Sequence, residues 1–140
     1  MTDTNVSVEV KKAELATLQW FRYHQNNSGG RFTANEDVTY NVFIQAPDAN
    51  AANSKAQDVG IYFDGCAKGW DCDCCGDRWS EAYSPMDSFT YYSWKSKEIN
   101  CADVESYAMA TVQNDSWAKP GEPAAILYYA NGDKATIRKS

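Results

Sequence analysis

Four of the five cysteines, Cys66, Cys72, Cys74 and Cys75, lie between positions 66 and 75. Within them, Cys72-Asp73-Cys74-Cys75-Gly76 has the C-x-x-C-G spacing of a zinc knuckle. Two thiolates so spaced can grip one tetrahedral zinc, and the following glycine permits the turn that aims backbone N–H groups at sulfur. A closed site needs two more ligands. Cys66 is the nearest third, and the fourth falls to Cys101, His24 or Cys74 without the sequence choosing among them. Reduced, unliganded thiols and a disulfide or redox pair are the competing readings. Asp64, Asp71, Asp73 and Asp77 surround the thiols, and their charge is expected to raise the thiol pKa values, which weighs against a nucleophilic cysteine. The same carboxylates show no spaced D-x-D-x-D-G loop for a hard cation.

A second group of donors is Asn26-Asn27-Ser28-Gly29-Gly30, which offers amides and backbone N–H groups as a nest for an anion or a small nucleotide-type ligand. Its plainer reading is a turn. His24, the single histidine, sits just ahead of it among aromatic residues, where a structural role competes with metal ligation. Neither a phosphate-binding glycine loop nor a nucleophile elbow is present, so no catalytic residue is assigned.

The elements that must carry these residues follow from periodicity. Leu18 to His24 and Val38 to Ala46 read as an antiparallel pair, with Tyr40, Val42, Ile44 and Ala46 on one face. Asp48 is placed to cap a helix in which Ala49, Ala52, Ala56 and Val59 recur at helical spacing, and Gly60 is placed to stop it. The cysteine loop, Asp64 to Asp77, is closed by Arg78 and Trp79. Phe89 to Trp94 reads as a further strand. Asn100 then caps a second helix with Val104, Tyr107, Ala108 and Thr111 on one side. Ala125 to Tyr129 and Lys134 to Arg138 form a hairpin, with Asn131-Gly132 as a two-residue turn. This order predicts one α+β domain over residues 1–140, with a mainly antiparallel sheet, about two helices and a cysteine-rich loop; residues 1–14 read as a loose arm or a short first strand.

Composition narrows the partners. The 140 residues carry 13 Lys and Arg against 19 Asp and Glu, net −6, which argues against generic nucleic-acid binding by phosphate neutralisation. No apolar run approaches the roughly 20 residues that span a bilayer. The opening segment MTDTNVSVEVKKAEL lacks the apolar stretch of a secretory signal, so a reducing compartment is expected, where clustered cysteines serve metals more often than bridges.

Three stretches carry a resemblance: Tyr23 to Phe32, Gly60 to Gly65, and Asp71 to Trp79, the last reading DCDCCGDRW. They resemble a family of small proteins of unassigned role in tailed-bacteriophage genomes. The likeness is close over residues 18 to 79 and looser over the closing Tyr128 to Gly132 hairpin, with residues 83 to 123 an insertion relative to shorter members. The resemblance implies a phage protein made in the cytoplasm of an infected bacterium, and it supplies no catalytic residues. The leading expectation is a non-enzymatic accessory protein, zinc-stabilised, that binds a host or viral protein through exposed aromatics. A small-ligand binder and a virion component are the alternatives.

Overall fold

The computed structural model describes residues 18–26, 31–86, 90–92, 98–100, 103–114 and 117–140. Four strands form one sheet: β1 (Gln19–His24), β2 (Asn41–Ala46), β5 (Pro123–Tyr128) and β6 (Lys134–Arg138), in the spatial order β1-β2-β5-β6. β1 with β2 and β5 with β6 are antiparallel, while β2 and β5 run parallel, Asn41 opposite Ala125. A separate two-stranded ladder joins β3 (Thr90–Tyr92) to β4 (Glu98–Asn100). With the helices α1 (Ala49–Val59) and α2 (Val104–Gln113), the fold is α+β with a mostly antiparallel sheet.

Each face of the sheet has its own core. Phe21, Tyr23, Val42, Ile44, Ile126 and Tyr128 meet α1 and the segment that follows it, including Ile61, Phe63 and Trp79. On the opposite face, Phe43, Leu127 and Ala125 pack with Val104, Tyr107, Ala108 and Val112 of α2. Because β2 is central and covered on both sides, five of its six residues are buried, and a single-faced alternation breaks down. Tyr40 accordingly leaves the face expected for it. It precedes the strand and joins the α2-side core, whereas Val42, Ile44 and Ala46 line the α1 side.

α1 begins and ends as its sequence dictates. The Asp48 side chain accepts from the Ala51 N–H, and Gly60 turns left-handed at φ 117° so that its N–H and that of Ile61 close on the last carbonyls. Ala52 and Ala56 are fully buried, letting the helix lie close on the sheet. For α2 the cap is Asp103, whose side chain accepts from the Ser106 N–H, and not Asn100, which ends β4. An aspartate directly before the helix reaches the third amide of the first turn, which a residue three positions earlier cannot.

The β5–β6 connection also differs from the two-residue turn. The Gly132 N–H donates to the Tyr129 carbonyl and the Tyr129 N–H to that of Asp133, with Gly132 at φ 98°. This is a three-residue loop in which only the glycine is left-handed. Asn131 contributes differently, accepting from the Asp133 N–H through its side chain. Residues 1–14, Asn27 to Gly30 and Cys101 lie outside the described residues.

Candidate functional site

The cysteine loop is pinned to the sheet through side chains that sequence reading assigned to ligand binding or left unassigned. Gln25, immediately after β1, is 1% exposed, and its amide is fully used: Nε2 donates to the Thr33 and Thr39 carbonyls, and Oε1 accepts from the Thr33 N–H and from Arg78. The Asn26 side chain donates to the Cys75 carbonyl at 2.8 Å and to the Asp77 carbonyl at 3.2 Å, while its backbone N–H donates to the Arg78 carbonyl. Asn26, proposed as part of a ligand nest, therefore spends its amide donors on the cysteine loop.

Arg78 is the centre of this knot. Its guanidinium donates to Gln25 Oε1 at 2.8 Å, to the Arg31 carbonyl at 2.6 Å and to the Tyr62 hydroxyl at 3.3 Å. The fully buried Asp71 carboxylate stands 3.8 Å from its Nε, accepts from the Arg78 backbone N–H and accepts from the Tyr62 hydroxyl at 2.6 Å. Burial and the Asp71 hydrogen bond push the Tyr62 hydroxyl pKa up, so it stays protonated and donating. Gly65 passes under Asp71 so closely that a Cβ there would sit 1.9 Å from the carboxylate. Trp79, 1% exposed, anchors the loop's end in the α1-side core.

Within the loop the thiols divide. Hydrogen bonding from Cys75 and Cys74 holds the Cys72 thiol pKa below the ordinary range, and the Cys75 N–H donates to the Cys72 carbonyl at 3.2 Å. That corrects, for Cys72, the expectation that the surrounding aspartates raise it: hydrogen bonding within the turn favours the thiolate more than burial opposes it. The Gly76 N–H meanwhile donates to the Cys72 carbonyl at 3.1 Å, with Gly76 at φ 89°, the turn foreseen for a knuckle. Cys66 behaves in the expected way. Desolvation and the Asp77 carboxylate push its thiol up to about 11, and its sulfur faces Asp77 and the Cys72 carbonyl. Asp77 also accepts from the Cys66 N–H at 2.9 Å.

Cys72 and Cys75 thus share one turn, the Cys66 thiol donates to the Cys72 carbonyl, and Cys74 and Cys75 are exposed. His24 is elsewhere. It lines a cavity on the α2 side with Arg22, Tyr40 and Trp117. Among the described residues, no three His, Cys, Asp or Glu side chains converge as a metal-binding group.

Beside the loop lies a feature the sequence did not flag, a hollow of about 100 Å³ lined by Phe63, Asp64, Asp77, Trp79, Glu81 and Tyr83. Asp64 enters it in a left-handed conformation, φ 58°, which aspartate tolerates better than most residues. The Cys66 N–H and thiol hold the Asp77 carboxyl below its usual range, so it is charged at neutral pH. Tyr83 at the rim is 86% exposed, and on the loop itself Trp70 is 63% exposed. Sequence-local patterns give no sign of this hollow, because it forms only when the loop folds back past Trp79.

Among the described residues, no helix is long and apolar enough to cross a membrane. No curated protein and no solved structure matches the chain. A family model does match, over residues 18–140, and the chain therefore belongs to the family described as domain of unknown function DUF7296.

Proposed function

We propose that the protein is a non-enzymatic accessory protein of a tailed bacteriophage, made in the host cytoplasm, that grips a host or viral protein at the cysteine-loop end. The observation that carries this reading is the hollow whose lining includes Asp64, Asp77 and Glu81 together with the exposed Tyr83. Three carboxylates around an aromatic wall suit one lysine or arginine side chain of a partner, with Trp70 and Tyr83 as flanking contacts. The loop that carries them is pinned by Gln25, Asn26 and Arg78, so its ordering is already complete before a partner arrives. The phage setting rests on the QNNSGG and DCDCCGDRW resemblance alone.

Zinc belongs to the same proposal as a brace. Cys72 and Cys75 would form the half-site, on a turn closed by the Cys75 and Gly76 N–H groups on the Cys72 carbonyl, with Gly76 left-handed at φ 89°. Cys66 would supply the third ligand by turning from Asp77, and a fourth ligand completes the site.

The test is recovery of tagged protein from infected cells. A protein that co-purifies with the native chain and is lost with Tyr83→Ala and with the Asp64→Asn, Glu81→Gln pair supports the reading. Equal recovery by all three chains overturns the assigned surface. Recovery of the chain in purified particles instead favours the virion reading. For zinc, elemental analysis of protein purified without chelator should find about one ion per chain, lost in Cys72→Ser and Cys75→Ser. A metal-free native chain overturns the brace.

A further inference from the structure

On the opposite face of the sheet from the cysteine loop, a half-open cavity of about 200 Å³ is lined by Arg22, His24, Phe32, Tyr40, Asn41, Thr111 and Trp117. One wall is polar and cationic, the other aromatic. Arg22 is half-buried, and two of its N–H groups donate to Asn41 Oδ1, at 3.0 Å from Nε and 2.7 Å from one terminal nitrogen. Its other terminal nitrogen donates to the Tyr107 hydroxyl at 3.2 Å, and the guanidinium lies over the Tyr107 ring, 5.8 Å from its centroid. All these partners are neutral. The ion pairs among the described residues belong to Arg78, Lys134 and Arg138, so among those residues no carboxylate answers the charge of Arg22 in its partly desolvated place. In a chain of net charge −6 that is an unusual thing to build. Three of the guanidinium's five N–H donors are accounted for, and two remain.

The aromatic wall is ordered by its own contacts. Phe32 packs on Tyr40 with ring centroids 5.0 Å apart and on Trp117 at 5.4 Å. The Tyr40 hydroxyl donates to Glu122 at 2.6 Å, which fixes that ring. Trp117, 63% exposed, stands at the cavity mouth.

We propose that this cavity binds a small planar anion, an aromatic ring bearing one carboxylate or phosphate. The anionic group would meet the two remaining Arg22 N–H donors, and the ring would lie against Phe32 and Trp117. Desolvation strengthens the first contact, and the fixed Asn41 and Tyr107 partners orient the guanidinium in advance. The size of the cavity suits one ring system with its acid group. This site is independent of the partner-binding hollow, which lies on the other face.

The experiment is calorimetric titration of the full chain with two charged probes, uridine 5′-monophosphate and indole-3-acetate, and two controls, uridine and inorganic phosphate. At least one charged aromatic probe should bind saturably below about 1 mM, with both controls at least about tenfold weaker. Arg22→Met should weaken that binding by about tenfold or more. Trp117→Ala, at an exposed position, should weaken it several-fold while the melting temperature holds, which keeps the test informative if Arg22→Met fails to fold. Preference between the two probes separates phosphate from carboxylate ligands. Binding of neither probe up to about 10 mM overturns the proposal, as does binding that Trp117→Ala and a folded Arg22→Met leave unchanged.

Discussion

Two arginines, one on each face of the sheet, show how the same side chain serves opposite ends. Arg78 meets a buried carboxylate, an amide oxygen, a carbonyl and a hydroxyl, and with them it fastens the cysteine loop to the end of β1. Arg22 is held, among the described residues, by a neutral amide and a neutral phenol. A neutralised arginine closes a structure, because every charge it carries is already answered. An oriented arginine without a carboxylate leaves its field to whatever enters beside it. The difference lies in the acceptors and not in burial, since both side chains are partly covered.

The tryptophans attached to the two regions should separate them most widely. Trp79 fills the α1-side core, so Trp79→Ala should cost about 3–5 kcal/mol in urea unfolding. Trp117→Ala, on the cavity rim, should cost below about 1 kcal/mol. Similar losses would mean that the rim is a structural element after all. The arginines themselves come next. Arg78→Met strips the buried Asp71 of its partner and should destabilise by about 3 kcal/mol, whereas Arg22→Met should cost about 1 kcal/mol. Equal values would erase the distinction drawn between them.

Gly65→Ala tests the same knot from its backbone. Its Cβ would displace the Asp71 carboxylate, for a loss of about 2 kcal/mol that Asp71→Ala should largely absorb in a double-mutant cycle. Additive losses would show that Gly65 and Asp71 act separately. Smallest and belonging to neither region is Gly132→Val. The hairpin there has open space around the glycine but needs φ 98°, so the cost should be about 1 kcal/mol by thermal unfolding and should leave both faces intact.

The elements were legible in the sequence wherever a short stretch decides its own structure. Asp48 and Gly60 bound α1 as read, and the first antiparallel pair and the closing hairpin stand where periodicity put them. Readings slipped where the outcome depends on neighbours. Tyr40 changes face because β2 begins only at Asn41, and the last turn gains a residue because Tyr129 and Asp133 bond across it. Of the candidate site, the Cys72 to Gly76 turn was visible as a motif, while the roles of Gln25 and Asn26 were not. Asn26 donates to carbonyls, and Gln25 accepts from the Arg78 guanidinium, about fifty positions away, and no spacing rule sees that far. The Arg22 cavity is collected from β1, β2, α2 and two loops, so no local pattern announces it. The family match runs through residues 83 to 123, the stretch read as an insertion, and α2, which walls that cavity, lies within it.

The parallel seam between β2 and β5 has a consequence for how the chain reaches this structure. Each flank of the sheet is a local antiparallel pair, β1 with β2 and β5 with β6, whose strands are near in sequence. The seam joins Asn41 to Ala125 and so encloses α1, the cysteine loop, the small ladder and α2 in one loop. Its closure entropy is spent before any seam hydrogen bond forms, which makes that pairing the slow event in assembly. Both cores straddle it, with Ile126 on one side and Leu127 on the other. The two faces, so different in their arginines, are thus sealed by the same late step.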